Sequence, residues 1–321
     1  SWKLSANANF TRDFWGKDKL ERLAGQAQRF DAQGYREVTP PLAVGLPFQP
    51  TKVEPGYLTW PLLPELFPVS SPGVNTSRDQ DLVSIDADPL KAHMTRYFDS
   101  VIPDEVIRNE APSLMQPTKR FDPLATRQAL IRMGVASGTF VRYAYRPFDA
   151  RCAFWHPETK LLDEKREELF ASYRVGNLFL TSRQKAERQK EGTPFLVTSL
   201  LPDRHLIRPG CACFPMTLRG WPSVPQDLAH VSESRLSNLS DACRAYLNGI
   251  GLPDSDYPES ASIGASSPYE WVWMHALAVG VSPAYLAENE SALRQDWPRI
   301  PLPATKELLV ESASLGWQVA A

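Results

Sequence analysis

Residues 141–160, VRYAYRPFDARCAFWHPETK, carry three arginines and one aspartate among five Phe, Tyr or Trp rings. The charges are too closely spaced for the solvated face of a helix, and the rings too many for a loop. From Phe140 to Tyr145 the apolar pattern has period two, which predicts a β-strand running into Arg146-Pro147. The cluster Tyr145, Arg146, Phe148, Asp149 and Arg151 is therefore expected at a strand end.

Upstream, Leu20, Leu23, Ala27 and Phe30 recur at helical spacing before Gly34, as in an amphipathic helix with a left-handed stop. Residues 39–72 are broken by prolines and predict an extended segment that wraps the surface. Asp88-Pro89 marks the cap and first turn of a helix whose inner face is Leu90, Met94, Tyr97 and Phe98. Another helix is predicted from Pro123 to Met133, stopped by Gly134.

Downstream, residues 164–173 read as a helix, and 177–181 and 195–199 as strands joined by a long polar connection. The last third is helical. Leu236, Leu239, Cys243 and Tyr246 form one stripe, Ser267-Pro268-Tyr269-Glu270 a capping box, and Ser282-Pro283 another helix start, ended by Pro298–Pro303. The order predicts an α+β fold with a strand-rich central part between N-terminal and C-terminal helices. Three parts are expected: 1–56 as a joining segment, 57–230 as a mixed α/β part, and 231–321 as a helical part packed on it.

The 321-residue chain is 43% apolar and 22% charged, with net charge −2, a composition that can bury a core. No apolar run approaches the roughly 18 residues a bilayer span needs, and the start, SWKLSANANF, lacks the features of an export signal and reads as a fragment of something longer. The four cysteines have no zinc-ligand spacing, which predicts reduced, buried thiols and a cytoplasmic protein. The 29 prolines predict many short elements and shaped loops. Residues 142–208 contain 13 Lys or Arg against 9 Asp or Glu, so mild overall acidity covers a basic centre. A surface of that sign suits polyanions if the cations share a face.

The chain lacks glycine-rich nucleotide loops, a nucleophile elbow, a His-Glu-x-x-His pair and an Asn-Pro-Pro-Tyr adenine-gripping loop. Neither a catalytic residue nor a metal ligand is expected. One catalytic alternative remains: Asp149, Glu158 and Lys160 match the loose Asp…Glu-x-Lys spacing of magnesium nucleases. Tyr269, Trp271 and Trp273 predict core packing rather than base stacking, and His156 and His205 satisfied or surface histidines.

Five segments occur in one order: LPELFPVSSPGVNTSRD (63–79), YRPFDARCAFW (145–155), NLFLTSRQ with FLVTSLLPDR (177–184, 195–204), CFPMTL (213–218) and SPAYLAENESALRQDWPRIPLP (282–303). Together they resemble the C-terminal specificity domain of Type ISP restriction–modification enzymes. The resemblance spans Tyr57 to Trp317 and is most specific at Tyr145–Arg151 and Arg299–Pro303. It departs at Cys152–Trp155, where a tyrosine pair is frequent, and at Ser77, where glycine or asparagine is common.

The resemblance implies a module that recognises duplex DNA for adenine-N6 methylation and restriction carried out by other domains of a parent chain. A methyltransferase domain of that chain is the implied neighbour. S-adenosylmethionine, ATP and magnesium belong to the parent, and no cofactor to this part. It also implies that Arg146, Asp149 and Arg151 form a scaffold with phosphate contact: Asp149 holds one guanidinium, the other is left for phosphate, and Tyr145 and Phe148 shield the pair. Thr76, Arg78 and Asp79 are candidate backbone contacts or a turn network. Arg183, Gln184, Lys185, Arg188 and Gln189 are candidate base readers in a variable loop. A third reading is a bracing domain that binds no DNA.

Overall fold

Two four-stranded sheets, each assembled from segments far apart in the chain, stand between helices in a computed structural model that describes residues 2–5, 35–38, 53–54, 56–186, 192–218, 236–252 and 267–321. The strands are β1 (Trp2–Ser5), β2 (Tyr35–Val38), β3 (Ser71–Pro72), β4 (Val83–Ser84), β5 (Thr139–Arg146), β6 (Asp149–Trp155), β7 (Phe179–Ser182), β8 (Phe195–Thr198), β9 (Leu201–Pro202), β10 (Ala212–Pro215), β11 (Thr217–Leu218) and β12 (Leu236–Ser237). The helices are α1 (Leu63–Leu66), α2 (Asp79–Leu82), α3 (Ala87–Phe98), α4 (Asp104–Glu110), α5 (Pro123–Met133), α6 (Glu167–Ser172), α7 (Asp241–Gly249), α8 (Pro268–Val281), α9 (Pro283–Glu288), α10 (Glu290–Leu293) and α11 (Lys306–Ala320). The fold is α+β, as the order of elements predicts.

The first sheet has the order β4-β6-β5-β9 and the second β3-β10-β7-β8; β1-β2 and β11-β12 form two-stranded ribbons. Strands β5 and β6 are a hairpin: Val141 pairs with Ala153, Tyr143 with Arg151 and Arg146 with Asp149. The predicted strand end is thus a turn, and the chain goes straight back through a second strand. That return strand was not read from the sequence because Cys152–Trp155 is continuously buried and does not alternate. Phe154 packs edge-on against Phe98 of α3, and Trp155 stacks on Phe170 of α6 at 3.7 Å.

The first core joins this sheet to α3 and α5 through Leu90, Met94, Tyr97, Leu130, Tyr143 and Phe154. Helix α5 matches its predicted limits, with Asp122 capping the Ala125 N–H at 3.0 Å and Gly134 at φ +77° ending it. Helix α3 begins two residues earlier than expected, after Asp86.

The second core sets Leu180, Phe195 and Phe214 of the other sheet against α8 and α11. Leu63, Leu66 and Phe67 enter it too, so the proline-broken segment does more than wrap. Its single helical turn holds because the Glu65 carboxylate accepts the Leu62 N–H at 2.7 Å, while Leu63 N–H and Ile300 N–H bond the carbonyls of Pro298 and Pro61. Two C-terminal expectations are corrected. Helix α7 starts after Ser240, whose side chain caps Cys243 N–H, so Leu236 and Leu239 precede it. Ser267 makes no side-chain cap and Glu270 lies buried, so the capping box is not formed. Tyr269 and Trp273 are core, as predicted. The helix predicted at residues 20–30 lies outside the described residues.

Helices α8 and α11 cross closely: a Cβ built on Gly316 would lie 2.0 Å from the Met274 carbonyl oxygen. Beside this crossing His275 is buried, with Nδ1 2.7 Å from Ser312 Oγ and Nε2 2.6 Å from the Pro301 carbonyl oxygen. The carbonyl can only accept, so Nε2 carries the proton and Nδ1 accepts from the serine. Burial depresses the pKa of His275, and likewise of the buried His156. Their contribution to stability is whole above an unfolded histidine's pKa of about 6.5 and is lost as pH falls toward the depressed folded values. The melting temperature is expected to fall between pH 7.5 and pH 5.5, and less steeply in His275→Gln. Parallel profiles for the two proteins would refute this role.

Among the described residues no helix is long and apolar enough to cross a membrane.

Candidate nucleic-acid interface

The hairpin turn consists of Pro147 and Phe148 between the paired Arg146 and Asp149. Proline fixes its own φ, and the reversal is completed by Phe148 at φ +62°, a conformation usually left to glycine that costs an L-residue roughly 1 kcal/mol. The ring projects away from the body and is fully exposed, 102% of its reference area. It does not shield the arginines as expected, because the turn geometry points it outward.

The charges beneath it are fixed in pairs. Arg151 donates to Asp149 from Nε at 3.0 Å and from Nη2 at 2.8 Å, the two-pronged pair expected from the sequence. These bonds hold the Asp149 carboxyl below the usual carboxylate range. Arg146 is not left over: its Nη1 donates to Asp203 Oδ1 at 2.9 Å. Both guanidinium groups lie against the Tyr145 ring, with their carbons 3.9 and 4.2 Å from its centroid. Each arginine still exposes about a third of its side chain, 36% for Arg146 and 30% for Arg151.

Asp203 is the residue that sequence reasoning missed. It is buried, and it also accepts the Tyr143 hydroxyl at 2.6 Å and the His205 N–H at 2.6 Å. Burial raises its pKa, against the pull of these donors. Its place beside the hairpin follows from the parallel pairing of β9 with β5, Tyr143 to Leu201 and Ala144 to Pro202. The tetrapeptide Leu201–Arg204 was visible within the family-like segments, but nothing local tied it to Arg146.

The loop before α2 completes the assembly. Thr76 is buried and its hydroxyl donates to Asp79, while Asp79 accepts the Tyr145 hydroxyl at 2.9 Å. Arg78 is buried as well, donating from Nη1 to the Leu161 carbonyl at 2.8 Å and lying 3.5 Å over the Phe121 ring. Burial lowers its pKa. Thr76, Arg78 and Asp79 are thus a turn network. Ser77 sits at φ +53°, which gives the physical reason why glycine or asparagine suits that position.

Phe121 belongs to a tight turn in which Thr118 and Phe121 exchange backbone hydrogen bonds of 3.0 and 3.3 Å. It exposes Lys119 and Arg120 along a cleft of about 390 Å³ lined also by Ser77 and Gln116. The Arg78–Phe121 and Asp79–Tyr145 contacts tie this turn to the hairpin through the loop between them. The only sequence signal was two adjacent cations between Pro117 and Pro123.

Residues 183–185 are placed differently. Arg183 is buried, with Nη2 bonded to the Gly192 carbonyl at 2.9 Å, and Gln184 donates to Asp296 at 3.2 Å. Lys185 is exposed. Arg188 and Gln189 lie outside the described residues.

The nuclease trio is not assembled. Asp149 begins β6 and Glu158 and Lys160 follow its far end, so a strand about 20 Å long, at roughly 3.3 Å per residue, stands between Asp149 and the segment that carries them. Among the described residues no three His, Cys, Asp or Glu side chains converge on a common point. Ser137 Oγ lies 2.9 Å from His156 Nε2, but His156 Nδ1 accepts the Glu158 N–H at 3.2 Å. Nε2 therefore carries the proton and donates to the serine, the wrong direction for activating a nucleophile.

The model of the Type ISP C-terminal specificity domain matches residues 65–321. A comparison with curated proteins finds no match. Among solved structures, a cryo-electron-microscopy DrdV–DNA complex is similar at 22% identity and TM-score 0.53, over 79% of this chain and 23% of that one. A nuclease-deletion mutant of the Type ISP restriction–modification enzyme LlaGI, in complex with a DNA substrate mimic, is similar at 15% identity and TM-score 0.54, over 94% and 22%. The ATP-dependent Type ISP restriction–modification enzyme LlaBIII bound to DNA is similar at 16% identity and TM-score 0.55, over 94% and 19%. The chain thus spans about a fifth of the length of these proteins.

Proposed function

The chain belongs to the Type ISP C-terminal specificity domain family, and we propose that it is a DNA target-recognition module, holding duplex DNA for methylation and restriction by other domains of a longer protein. The observation that carries this reading is the family match across residues 65–321. Similar folds solved with DNA support it. Methyl donor, ATP and magnesium would serve those other domains, with the methyltransferase domain as the neighbour of this one.

On this reading the residues divide by whether they still have N–H donors to offer outward. Thr76, Arg78, Asp79, Asp149 and Asp203 hold the surface in shape. Arg146 and Arg151, each with a guanidinium oriented by a carboxylate, offer their outer N–H groups to phosphate oxygens. Lys119 and Arg120 add two solvated cations on the adjoining turn, where they would replace condensed counterions of the duplex. Lys185 and Arg188 remain candidates for base-edge contacts.

The test is binding of labelled duplex DNA over a range of salt. The chain is expected to shift duplex at low salt. Replacing Lys119 and Arg120 together by alanine is expected to reduce the slope of log K against log salt by about two, since each phosphate contact contributes roughly 0.9. No shift at low salt overturns the recognition reading. A shift whose slope ignores the double substitution removes the Thr118–Phe121 turn from it.

A further inference from the structure

We infer that Phe148 is a wedge that inserts into the base stack of bound duplex DNA. The inference deepens the recognition reading and rests on it. Three features of the hairpin support it. The ring is wholly exposed, so it contributes nothing visible to the core. Its backbone sits at φ +62°, where glycine would be at ease, so the fold bears a strained residue that its own packing does not require. An outlier of this sort, on a surface that otherwise satisfies its charges, is the signature of a functional position.

The mounting is equally specific. Arg146 is fastened to the buried Asp203 just before the ring, and Arg151 to Asp149 just after it, with Tyr145 beneath both guanidinium groups. The ring therefore stands on a preorganised base, and ordering it on binding costs little entropy. The two partly exposed arginines come just before and just after it in the chain and lie against the one Tyr145 ring, so an apolar blade is mounted beside two oriented cations. That suits a duplex, whose base steps lie beside phosphate backbones, and phenylalanine is among the residues that wedge such steps apart. An apolar protein surface is the poorer occupant. The exposed apolar residues of the tip are Phe148 with Pro147 and Ala150, a narrow projection rather than the broad patch of several hundred Å² on which a protein partner docks.

The experiment uses the full 321-residue chain and duplex DNA selected from a random pool by that chain, with 2-aminopurine placed at successive steps. The wild-type chain is expected to raise 2-aminopurine fluorescence at one step, through unstacking. Phe148→Ala is expected to abolish the rise and weaken binding about tenfold, with the salt slope unchanged. Phe148→Trp is expected to keep both signals. Phe148→Gly relieves the positive φ, and is expected to melt at or above the wild-type temperature while binding as poorly as the alanine variant. Loss of binding with unchanged or higher melting separates a wedge from a folding role.

Wild-type and Phe148→Ala chains that bind within twofold of one another, or a wild-type complex with no fluorescence rise at any step, overturn the wedge and leave the recognition reading standing. A wild-type chain that selects and shifts no duplex overturns both.

Discussion

Replacing Asp203 by alanine is expected to lower the free energy of unfolding by about 3 kcal/mol, read as a shift of the urea midpoint at constant slope. The carboxylate is buried and accepts three donors, from Tyr143, Arg146 and His205. Removal strands the inner face of the Arg146 guanidinium and takes one acceptor from the Tyr143 hydroxyl, which keeps only the Val74 carbonyl at 3.1 Å. Breaking a buried pair on one side costs roughly 3 to 5 kcal/mol; the lower end applies because Arg146 is 36% exposed and water can reach it. Burial raises the pKa of Asp203, so its ionised form depends on these donors. A loss under about 1 kcal/mol would mean the pair is decorative.

Gly316→Ala is expected to cost a similar amount, about 3 kcal/mol, for a different reason. The added carbon would lie 2.0 Å from the Met274 oxygen and 2.6 Å from its carbonyl carbon, both backbone, so no side chain can swing aside. Helices α8 and α11 must separate, and the contacts of Val272, Ala276, Leu309 and Ala313 in the second core loosen together. Intrinsic propensity runs the other way, favouring alanine over glycine inside a helix by about 1 kcal/mol. A net loss therefore measures the crossing itself. Gly249→Ala, at the end of α7, is the helical control, since nothing lies within 4 Å of its added carbon. A stabilised Gly316→Ala protein would show that the helices are not held at this distance.

What the sequence disclosed was set by how far each interaction reaches along the chain. Helix α5 was legible end to end because Asp122, Pro123 and Gly134 are local stop and start signals. The pairing of Asp149 with Arg151 was legible because two residues separate them. The partner of Arg146 was not, because Asp203 lies 57 positions away and arrives by a parallel strand pairing that no periodicity announces. Phe148 was taken for a lid on the arginines; it points outward instead, and that direction was not legible because it depends on a backbone angle that an aromatic residue seldom adopts. At residues 267–270 the local rule itself failed. The motif spells a capping box, but Glu270 is drawn into the core, so tertiary packing overrides the cap.

The lock between the loop before α2, the β5–β6 hairpin and Asp203 has a bearing on divergence. Arg146 of the hairpin answers both Asp203, at 2.9 Å, and Asp79 of the loop, at 3.7 Å, so replacing it alone strands two carboxylates, and the three segments are expected to change in concert or stay as they are. Lys119 and Arg120 stand outside that circuit, on a turn closed by its own backbone bonds. Substitutions can therefore accumulate in that turn one residue at a time, and a graft between two such chains would begin there, with the hairpin moved only as a block.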